Sequence, residues 1–308
     1  PAASFIALLQ KITDAWKQQP DELRARATQI SEAIDRILSN RKEAGSLGPD
    51  LLDNMLKGLL EREDSTYGGL AGAPKFPQEP LLLLMLDHVR RSRDLSVFGF
   101  VERALTGMAR CGIYDQVAGG FHRYSVDAQW LVPHFEKMLY DNAQLIHLYL
   151  DAYLVSGDER HAAVVRDILR YLARDMTHKG GGWYSAEDAD SEGQEGKFYC
   201  WTKTGLEKLL TQEEAAVVIR RYGITERGNF TDHSHPEPLK NQNVLSIVDP
   251  KLSDTEKKLL ATAKAKMFKE RATRVRPHLD DKILSSWNGL MLGAVARAHS
   301  VLGKPEFL

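Results

Sequence analysis

The sequence has few cysteines, no excess of either charge and no long hydrophobic run. Its two cysteines, Cys111 and Cys200, stand far apart and form neither a CxxC pair nor a zinc-binding pattern. Two isolated thiols are typical of a reducing compartment. We therefore expect a cytoplasmic protein with inert, buried thiols rather than a disulfide.

The charges nearly cancel, because 41 Lys and Arg residues stand against 42 Asp and Glu residues. Nucleic acid and anionic membranes usually require a basic excess or a basic stripe, so neither partner is expected. The longest apolar run, Leu81 to Leu86, is far too short to span a bilayer. No signal peptide is visible. Because the first residue is Pro1, we expect the sequence to start within a longer protein, and a leader peptide that has been removed is an open alternative.

Helical periodicity dominates the chain. Two amphipathic helices, Phe5 to Trp16 and Asp21 to Leu38, form a lead-in that ends in a polar run before Gly45. Capping boxes at Thr211 and Ser253 mark two helix starts. The pattern further predicts helices over residues 50–61, 79–90, 97–110, 135–155, 159–176, 253–271 and 287–302.

A weak internal repeat runs through these helices. Glycine pairs at Gly68-Gly69, Gly119-Gly120 and Gly181-Gly182 each lie between helices. A supersecondary unit recurring at about 50 residues favours helical hairpins in an array or ring. The alternative is that the glycines only supply positive φ angles. The repeat predicts alternating inner and outer helices, with all three glycine loops on one rim.

The sequence pattern changes between the predicted helices 159–176 and 253–271. Residues 198–202 are aromatic and read as a short strand, and residues 229–248 are polar and rich in turns, which together predict a small β-bearing insertion. His233 and His235 lie there without a third ligand in view, so we expect them to be solvated. The sequence predicts neither a metal site nor a cofactor.

The segment from Gly119 to Gln144 has the highest density of chemically active side chains. Histidine, arginine and carboxylates crowd the entrance of an apolar helix, where desolvation is costly unless the groups are paired or used. Glu136 is expected at the positive end of the helix dipole, with Lys137 and Asp141 on one helix face. A solvated helix start with an ordinary ion pair is the alternative interpretation.

Two further clusters have a similar composition. The first alternates acids after aromatic residues, from Trp183 to Glu192, and the second places acids, Lys282, Trp287 and Asn288 before a helix. Either cluster suits hydrogen bonding to sugar hydroxyls, acid–base chemistry or a solvated turn, and the acidic spacing does not match a calcium loop. If the hairpins form a ring, the three clusters converge on one pocket.

Four strings carry a family resemblance: GGLAGAPKFP, GIYDQVAGGFHRYSVDAQWLVPHFEKMLYDNAQL, GGWYSAEDADSEGQEGKFYCWT and RPHLDDKILSSWNGLM. They resemble the spermatogenesis-associated, thioredoxin-fused family, whose bacterial members are called YyaL-like. That resemblance implies an all-α fold, an (α/α)6 toroid of the six-hairpin glycosidase type, after a thioredoxin-like domain. Residues 1–44 then correspond to the end of that domain plus a linker, and residues 45–308 to an incomplete toroid.

An incomplete ring has a physical consequence. The inner helices would expose apolar flanks, and large exposed patches of this kind mark an interface or an aggregation liability. The expected partners are therefore the missing remainder of the toroid or a partner chain, besides a small molecule.

The resemblance implies carbohydrate chemistry, either that of a sugar epimerase or isomerase or that of a glycoside hydrolase. Tyr140-Asp141-Asn142-Ala143 resembles an epimerase string, with Asn142 where histidine is usual. A hydrolase instead needs two suitably spaced carboxylates. The alternative function is a non-catalytic binding or scaffold module that works with a thioredoxin-like domain.

We expect four residues to carry acid–base work: His134, Glu136, Asp188 and Asp281. Nine further residues are expected to bind substrate, since aromatic faces suit sugar C–H surfaces and polar groups suit hydroxyls. They are His122, Arg123, Tyr140, Asp141, Trp183, Glu187, Asp190, Trp287 and Asn288.

Overall fold

The computed structural model describes residues 4–39, 48, 50–233 and 235–303. The chain divides into two compact units, Pro1–Asp53 and Asn54–Leu308. The predicted boundary between residues 44 and 45 lies outside the described residues. No described helix combines the length and the apolar character that crossing a membrane requires.

The first unit contains two packed helices, α1 (Phe5–Gln18) and α2 (Pro20–Ser39). They match the predicted lead-in to within a few residues. The Ser4 side chain caps α1 by accepting a hydrogen bond from the backbone of Ala7, and Pro20 is the first residue of α2, where a missing N–H costs nothing. The origin of this hairpin in a thioredoxin-like domain stays a prediction.

The second unit is built from helical hairpins. Helices α4, α6 and α11 lie side by side as an inner layer, with α6 in the middle, while α5 and α7 pack outside α4 and α6. The predicted all-α fold, a partial toroid of hairpins, is confirmed. The helices are α3 (Leu51–Leu60), α4 (Glu79–Ser92), α5 (Leu95–Arg110), α6 (Leu139–Ser156), α7 (Glu159–Tyr171, continued by a π-helical turn, Leu172–Met176), α8 (Lys203–Leu209), α9 (Gln212–Tyr222), α10 (Asp254–Arg271) and α11 (Ser285–Leu302).

The inner helices α6 and α11 differ in how much of their surface is buried. Helix α6 is apolar on nearly every face, which is typical of a helix enclosed by others. Helix α11 instead buries Met291, Ala294 and Ala298, whereas Leu290 and Leu292 are exposed by 44% and 63%. The described residues therefore show the apolar flank expected of an incomplete ring.

Three loops of the second unit share one backbone design. Each loop is closed by an isolated β-bridge between two residues that flank it. The residue after the first of these two donates a backbone hydrogen bond to the carbonyl of the second glycine, at 2.8 to 3.0 Å. Both glycines of each pair have positive φ angles, which favour glycine over residues with a Cβ. The internal repeat is therefore structural. The closing bridges are Glu63–Leu70, Tyr114–Phe121 and Thr177–Trp183.

Short strands tie the entrances of the inner helices together. A three-stranded antiparallel sheet joins β3 (Lys137–Met138), β4 (Ala186–Glu187) and β7 (Leu279–Asp280). Strand β3 lies directly ahead of α6, and β7 directly ahead of α11. A bridge from Lys75 to Ser125 links the segment ahead of α4 to the same region. The glycine loops therefore lie on one rim, as the repeat predicts. The other strands pair as β1 (Tyr124–Ser125) with β2 (Pro133–His134), and β5 (Asp190–Ser191) with β6 (Gln194–Glu195).

The predicted helix start at Phe135 is wrong. Helix α6 begins at Leu139, and Lys137 and Met138 are extended because they pair with β4. Glu136 therefore precedes the helix, and the dipole argument does not apply to it as stated. Lys137 does not share a helix face with Asp141; its ammonium group instead donates to Asp115 at 2.8 Å.

The segment between β4 and β7 carries three helices besides β structure, and the strand predicted at residues 198–202 is limited to a bridge at Trp201. It carries β5, β6 and isolated bridges at Trp201–Asn243 and Phe230–Gln242. Helices α8, α9 and α10 have their own hydrophobic core around Leu206, Val218 and Met267. Both predicted capping boxes are present, at the starts of α9 and α10.

The two thiols are free, as expected. Cys200 is buried and Cys111 is partly buried. Burial raises the pKa of both thiols, so neither is a reactive thiolate at neutral pH.

Candidate functional site

Seven side chains form a continuous surface at the entrances of α4, α6 and α11, which we name the mouth. Ionisable groups lie there between two pairs of aromatic rings. Tyr124 stacks on Phe76 with ring centroids 4.7 Å apart and on His134 at 5.1 Å, and Tyr140 meets Trp287 edge-on at 4.9 Å. The mouth consists of Phe76, Arg123, Tyr124, His134, Glu136, Tyr140 and Trp287.

Glu136 connects the charged groups of the mouth. Its Oε2 accepts a hydrogen bond from Arg123 Nη1 at 3.1 Å and lies 3.7 Å from His134 Nε2. Arg123 also reaches the Tyr140 hydroxyl. Glu136 therefore has two basic neighbours, and Glu136 and Arg123 are partly exposed to any ligand in the mouth.

His134 has a second acidic neighbour that the sequence did not single out. Its Nδ1 lies 2.7 Å from Glu195 Oε1, and the same oxygen accepts the backbone N–H of Phe135 at 3.1 Å. The hydrogen bond to Glu195 raises the pKa of His134, which favours the imidazolium form. Glu195 comes from the turn-rich β5–β6 hairpin, where its local pattern predicts only a solvated acid.

A cavity of about 570 Å³ adjoins His134 through Pro133 and Glu195. Phe230, Asp232 and His233 line its other walls. It lies beside the mouth and contains none of the predicted catalytic residues. The cavity therefore extends the candidate site rather than defining its chemistry.

Glu79 and Asp141 lie behind the mouth and are almost completely buried, with 6% and 5% exposure. Glu79 is the first residue of α4 and Asp141 is the third residue of α6. Their carboxyl groups are in hydrogen-bonding contact with each other. Sequence reasoning placed Asp141 at the site but missed Glu79, which the chain pattern marks only as a helix start.

His122 lies away from the mouth. It is buried, its Nδ1 lies 2.8 Å from the carbonyl oxygen of Phe135, and its ring packs edge-on against Phe135 and Tyr199. Burial lowers the pKa of His122 to about 3, so the ring is neutral. This geometry supports packing rather than contact with a substrate.

The second cluster divides between the interior and the surface. Glu187 is buried and accepts hydrogen bonds from Tyr171 at 2.8 Å and from Arg276 at 2.7 Å. Asp188 and Asp190 are exposed. The β3–β4 register sets Asp188 across from Glu136, one residue beyond the paired positions, so these two predicted acids lie in neighbouring chain segments.

The third cluster contributes mainly Trp287 to the mouth. Asp281 is exposed at the far end of β7. Asn288 accepts a hydrogen bond from the backbone N–H of Trp183 at 2.8 Å and donates to its carbonyl at 3.0 Å. Trp183 and Asn288 thus clamp a glycine loop onto α11.

The same clamp occurs in the second repeat. Asn142 accepts from the backbone N–H of Phe121 at 2.9 Å and donates to the carbonyl of Phe121 at 3.1 Å. Like Asn288 in α11, Asn142 is the fourth residue of its helix. The clamp gives a structural reason for asparagine at the position where the epimerase string has histidine.

Among the described residues, Glu102, Asp158 and His161 lie close enough together to hold a metal ion. They belong to the outer helices, away from the mouth. His161 already contacts Glu102 at 2.8 Å, and Asp158 is paired with Arg160. None of the predicted site residues belongs to this group.

Solved structures with a partly similar helical arrangement include a family 76 glycoside hydrolase (mannosidase) from Bacteroides thetaiotaomicron. It is 10% identical with a TM-score of 0.44, over 77% of this chain and 42% of that one. A cellobiose 2-epimerase from Spirochaeta thermophila is 14% identical with a TM-score of 0.39, over 94% of this chain and 84% of that one. Both TM-scores are below 0.5, so neither likeness bears on the chemistry of the mouth.

No protein-family model matches the sequence. Spermatogenesis-associated protein 20 from Homo sapiens is 37% identical over 99% of this chain, and the Mus musculus protein is 36% identical over 99%. The chain spans only 43% and 42% of the length of these two relatives. The resemblance carried by the four strings is thereby confirmed: nearly the whole chain is related in sequence to a part of the spermatogenesis-associated protein 20 family.

Proposed function

We propose that the mouth binds a sugar-like, polyhydroxylated small molecule and acts on it. The observation that carries this proposal is the unbroken chain of contacts from Phe76 to Trp287, in which His134, Glu136 and Arg123 lie between two aromatic pairs. Aromatic faces pack against the C–H surface of a sugar, while charged side chains pair with its hydroxyl groups. The relatives and the fold assign no reaction to this chain, because function depends on the site rather than on the fold.

The side chains of the mouth differ in how each would contact a bound sugar. Phe76 and Trp287 offer rings at opposite ends of the mouth, and Arg123 and Glu136 lie between them. Glu136 is an acceptor and Arg123 a donor, so the pair can hold two neighbouring hydroxyl groups at once. His134, held by Glu195, supplies a proton donor beside them.

Catalysis is proposed for His134, Glu136 and Asp188. Glu136 and Asp188 come from neighbouring chain segments, and His134 contacts Glu136 directly. General acid–base work needs such groups within hydrogen-bonding reach of the reacting oxygen. Asp281, which lies at the far end of β7, is the least supported of the four predicted acid–base residues.

A binding measurement tests the proposal. The protein would be titrated by isothermal calorimetry and ligand-observed NMR with D-glucose, D-mannose, N-acetyl-D-glucosamine and cellobiose. We expect at least one sugar to bind, and Trp287→Ala to weaken that binding by tenfold or more, since stacking and its buried area are lost. Trp16→Ala, which removes a half-exposed tryptophan from the first unit, is the matched control and should bind normally.

Two results would contradict the proposal. One is the absence of binding by every sugar in the panel. The other is equal binding by the Trp287→Ala variant and the parent, which would locate the ligand elsewhere. Binding without any turnover would instead favour the non-catalytic alternative.

A further inference from the structure

The contact between Glu79 and Asp141 is unusual because both partners are acids and both are buried. Each carboxyl group also retains one buried oxygen, Glu79 Oε1 and Asp141 Oδ2, to which no described group donates a hydrogen bond. Buried polar atoms are nearly always satisfied, so two orphaned acceptors in one contact require an explanation.

A single proton supplies that explanation. Two touching carboxylates in a desolvated site repel each other, whereas one proton turns an acceptor into a donor and creates a hydrogen bond between the groups. Burial first of all raises the pKa of Glu79 to about 7. Burial, followed by repulsion from Glu79, raises the pKa of Asp141 to about 8.

The surroundings place this pair next to the mouth rather than in an isolated core. Arg123 attracts and Glu136 repels the charge on Asp141, and both of these residues belong to the mouth. Tyr140 precedes Asp141 in α6 and senses the charge of both acids. Among the charged groups that face the pair, Arg123 is the cation, and it is already engaged with Glu136.

We propose that Glu79 and Asp141 share one proton at neutral pH and exchange it with an oxygen atom of the molecule bound in the mouth. The inference rests on the proposed function for its ligand, but not for the shared proton. A pair with one protonated and one ionised carboxyl group can donate and accept in the same step.

The step is balanced without a cofactor. For a cyclic sugar, the protonated carboxyl group gives its proton to the ring oxygen as the bond between that oxygen and the anomeric carbon breaks. The anomeric hydroxyl gives its proton to the ionised carboxylate and becomes a carbonyl. The pair again holds one proton, and the product is the open-chain form of the same sugar.

The shared proton is tested first, without any ligand. Carboxyl ¹³C chemical shifts of the labelled full chain would be followed by NMR from pH 4 to pH 10. We expect two signals that titrate near neutrality, and in Glu79→Gln the remaining Asp141 signal should move to lower pH because its acidic neighbour is gone. Asp141→Asn should have the same effect on Glu79.

Asp151→Asn is the matched control for this titration. Asp151 is also on α6 and also buried, but it pairs with Arg297. Its replacement should leave both near-neutral titrations in place. The shared proton is excluded if the parent shows all carboxyl groups titrating below pH 6.

The transfer is tested by the rate of ring opening. Exchange between the α and β anomers of the sugar that binds best would be measured by NMR exchange spectroscopy. We expect acceleration with a bell-shaped pH profile centred between pH 7 and pH 8, and at least a hundredfold loss in Glu79→Gln with unchanged sugar affinity.

The two proposals fail in different ways. No binding by any sugar defeats the proposed function, while the carboxyl titration still decides the shared proton. Normal sugar binding and near-neutral titration, without faster anomer exchange, would show a purely structural proton and overturn the transfer.

Discussion

Asp141 and Asp151 lie on the same helix and are both buried, yet one has an acidic neighbour and the other a basic one. Asp141 contacts the acid Glu79, whereas Asp151 contacts the guanidinium group of Arg297. A buried carboxylate with a cationic partner is stabilised as the charged form, and one beside another acid is stabilised as the neutral form. Residue type and burial alone therefore do not predict the electrostatic environment of an aspartate on this helix.

The stability of the protein should fall as the pH rises through neutrality. The folded pKa of Asp141 is about 8 against an ordinary value of 3.8, so the folded protein holds a proton that the unfolded chain has released. The stability that this proton contributes is fully present below about pH 4 and has been lost once the pH passes about 8. Between these values the free energy of unfolding falls by up to about 1.4 kcal/mol per pH unit for one proton.

Urea unfolding of Asp141→Asn at pH 5, 6.5 and 8.5 checks this prediction. The free energy of unfolding of the variant should change less with pH than that of the parent, because an amide has no proton to lose. Asp151→Asn should keep the parent's slope and be less stable at every pH, since it leaves Arg297 without its charged partner. Identical slopes for the parent and Asp141→Asn would contradict the prediction.

The sequence predicted part of the site at this scale. The local composition singled out His134, Glu136 and Trp287, and the structure brings these three residues together in the mouth. Glu79 and Glu195 were missed because each meets its partner through the tertiary fold, from a segment whose own pattern is ordinary. His122 and Glu187 share the local density but point into the core, and no local pattern distinguishes the two directions.

At the scale of elements, individual glycines of the repeated loops are under different constraints, as Gly120, the second glycine of its pair, and Gly181, the first of its pair, show. A Cβ on Gly120 would lie 2.6 Å from the ring of Tyr171, whereas a Cβ on Gly181 would meet nothing within 4 Å. Both glycines have positive φ angles, +80° and +98°. Gly181 therefore needs glycine for its backbone conformation only, and Gly120 needs it also for space.

Alanine substitutions separate these two requirements. Gly181→Ala should cost about 1 to 2 kcal/mol of unfolding free energy through backbone strain. Gly120→Ala should cost about 2 to 5 kcal/mol, because the buried Tyr171 ring is fixed by its hydrogen bond to Glu187 and overpacking adds to the strain. Chemical denaturation of both variants measures the difference, and equal losses would refute the steric part.

Helix periodicity predicted most of the helices but failed where strands compete with it. The apolar pattern of α6 extends upstream to Phe135, yet pairing with β4 holds Lys137 and Met138 extended. That choice depends on residues far away in the sequence, which periodicity does not contain. Periodicity did not predict helices α8 and α9 because they are short, although the capping box at Thr211 indicates the start of α9.

At the scale of the whole molecule, one buried ionic cluster joins distant parts of the second unit. Asp115 of the second glycine loop accepts hydrogen bonds from Lys137 at 2.8 Å and from both terminal nitrogens of Arg271 at 2.9 Å. Burial would raise the pKa of Asp115, but Arg271 and Lys137 hold it well below its ordinary value. The cluster links the repeat to α10 of the inserted helices.

Breaking this cluster should destabilise the whole unit. We expect Arg271→Leu to cost about 3 to 5 kcal/mol, since it removes one partner of a buried ion pair. Lys266→Ala, also on α10, removes a half-exposed partner of Glu214 and should cost about 1 kcal/mol or less. Calorimetric melting of both variants tests this, and a small loss in Arg271→Leu would show that the inserted helices are held by their apolar contacts alone.

The sheet that supports the mouth also brings the two ends of the inserted segment together. The backbone N–H of Asp188 donates to the carbonyl of His278 at 2.8 Å, and the helices α8 to α10 lie between these two residues in the sequence. A segment that leaves and re-enters a fold at one point can be gained, shortened or exchanged during evolution without rethreading the surrounding helices. The wall that this segment contributes to the cavity beside His134 can therefore diverge independently of the mouth, so related chains can keep one chemistry while changing what fits next to it.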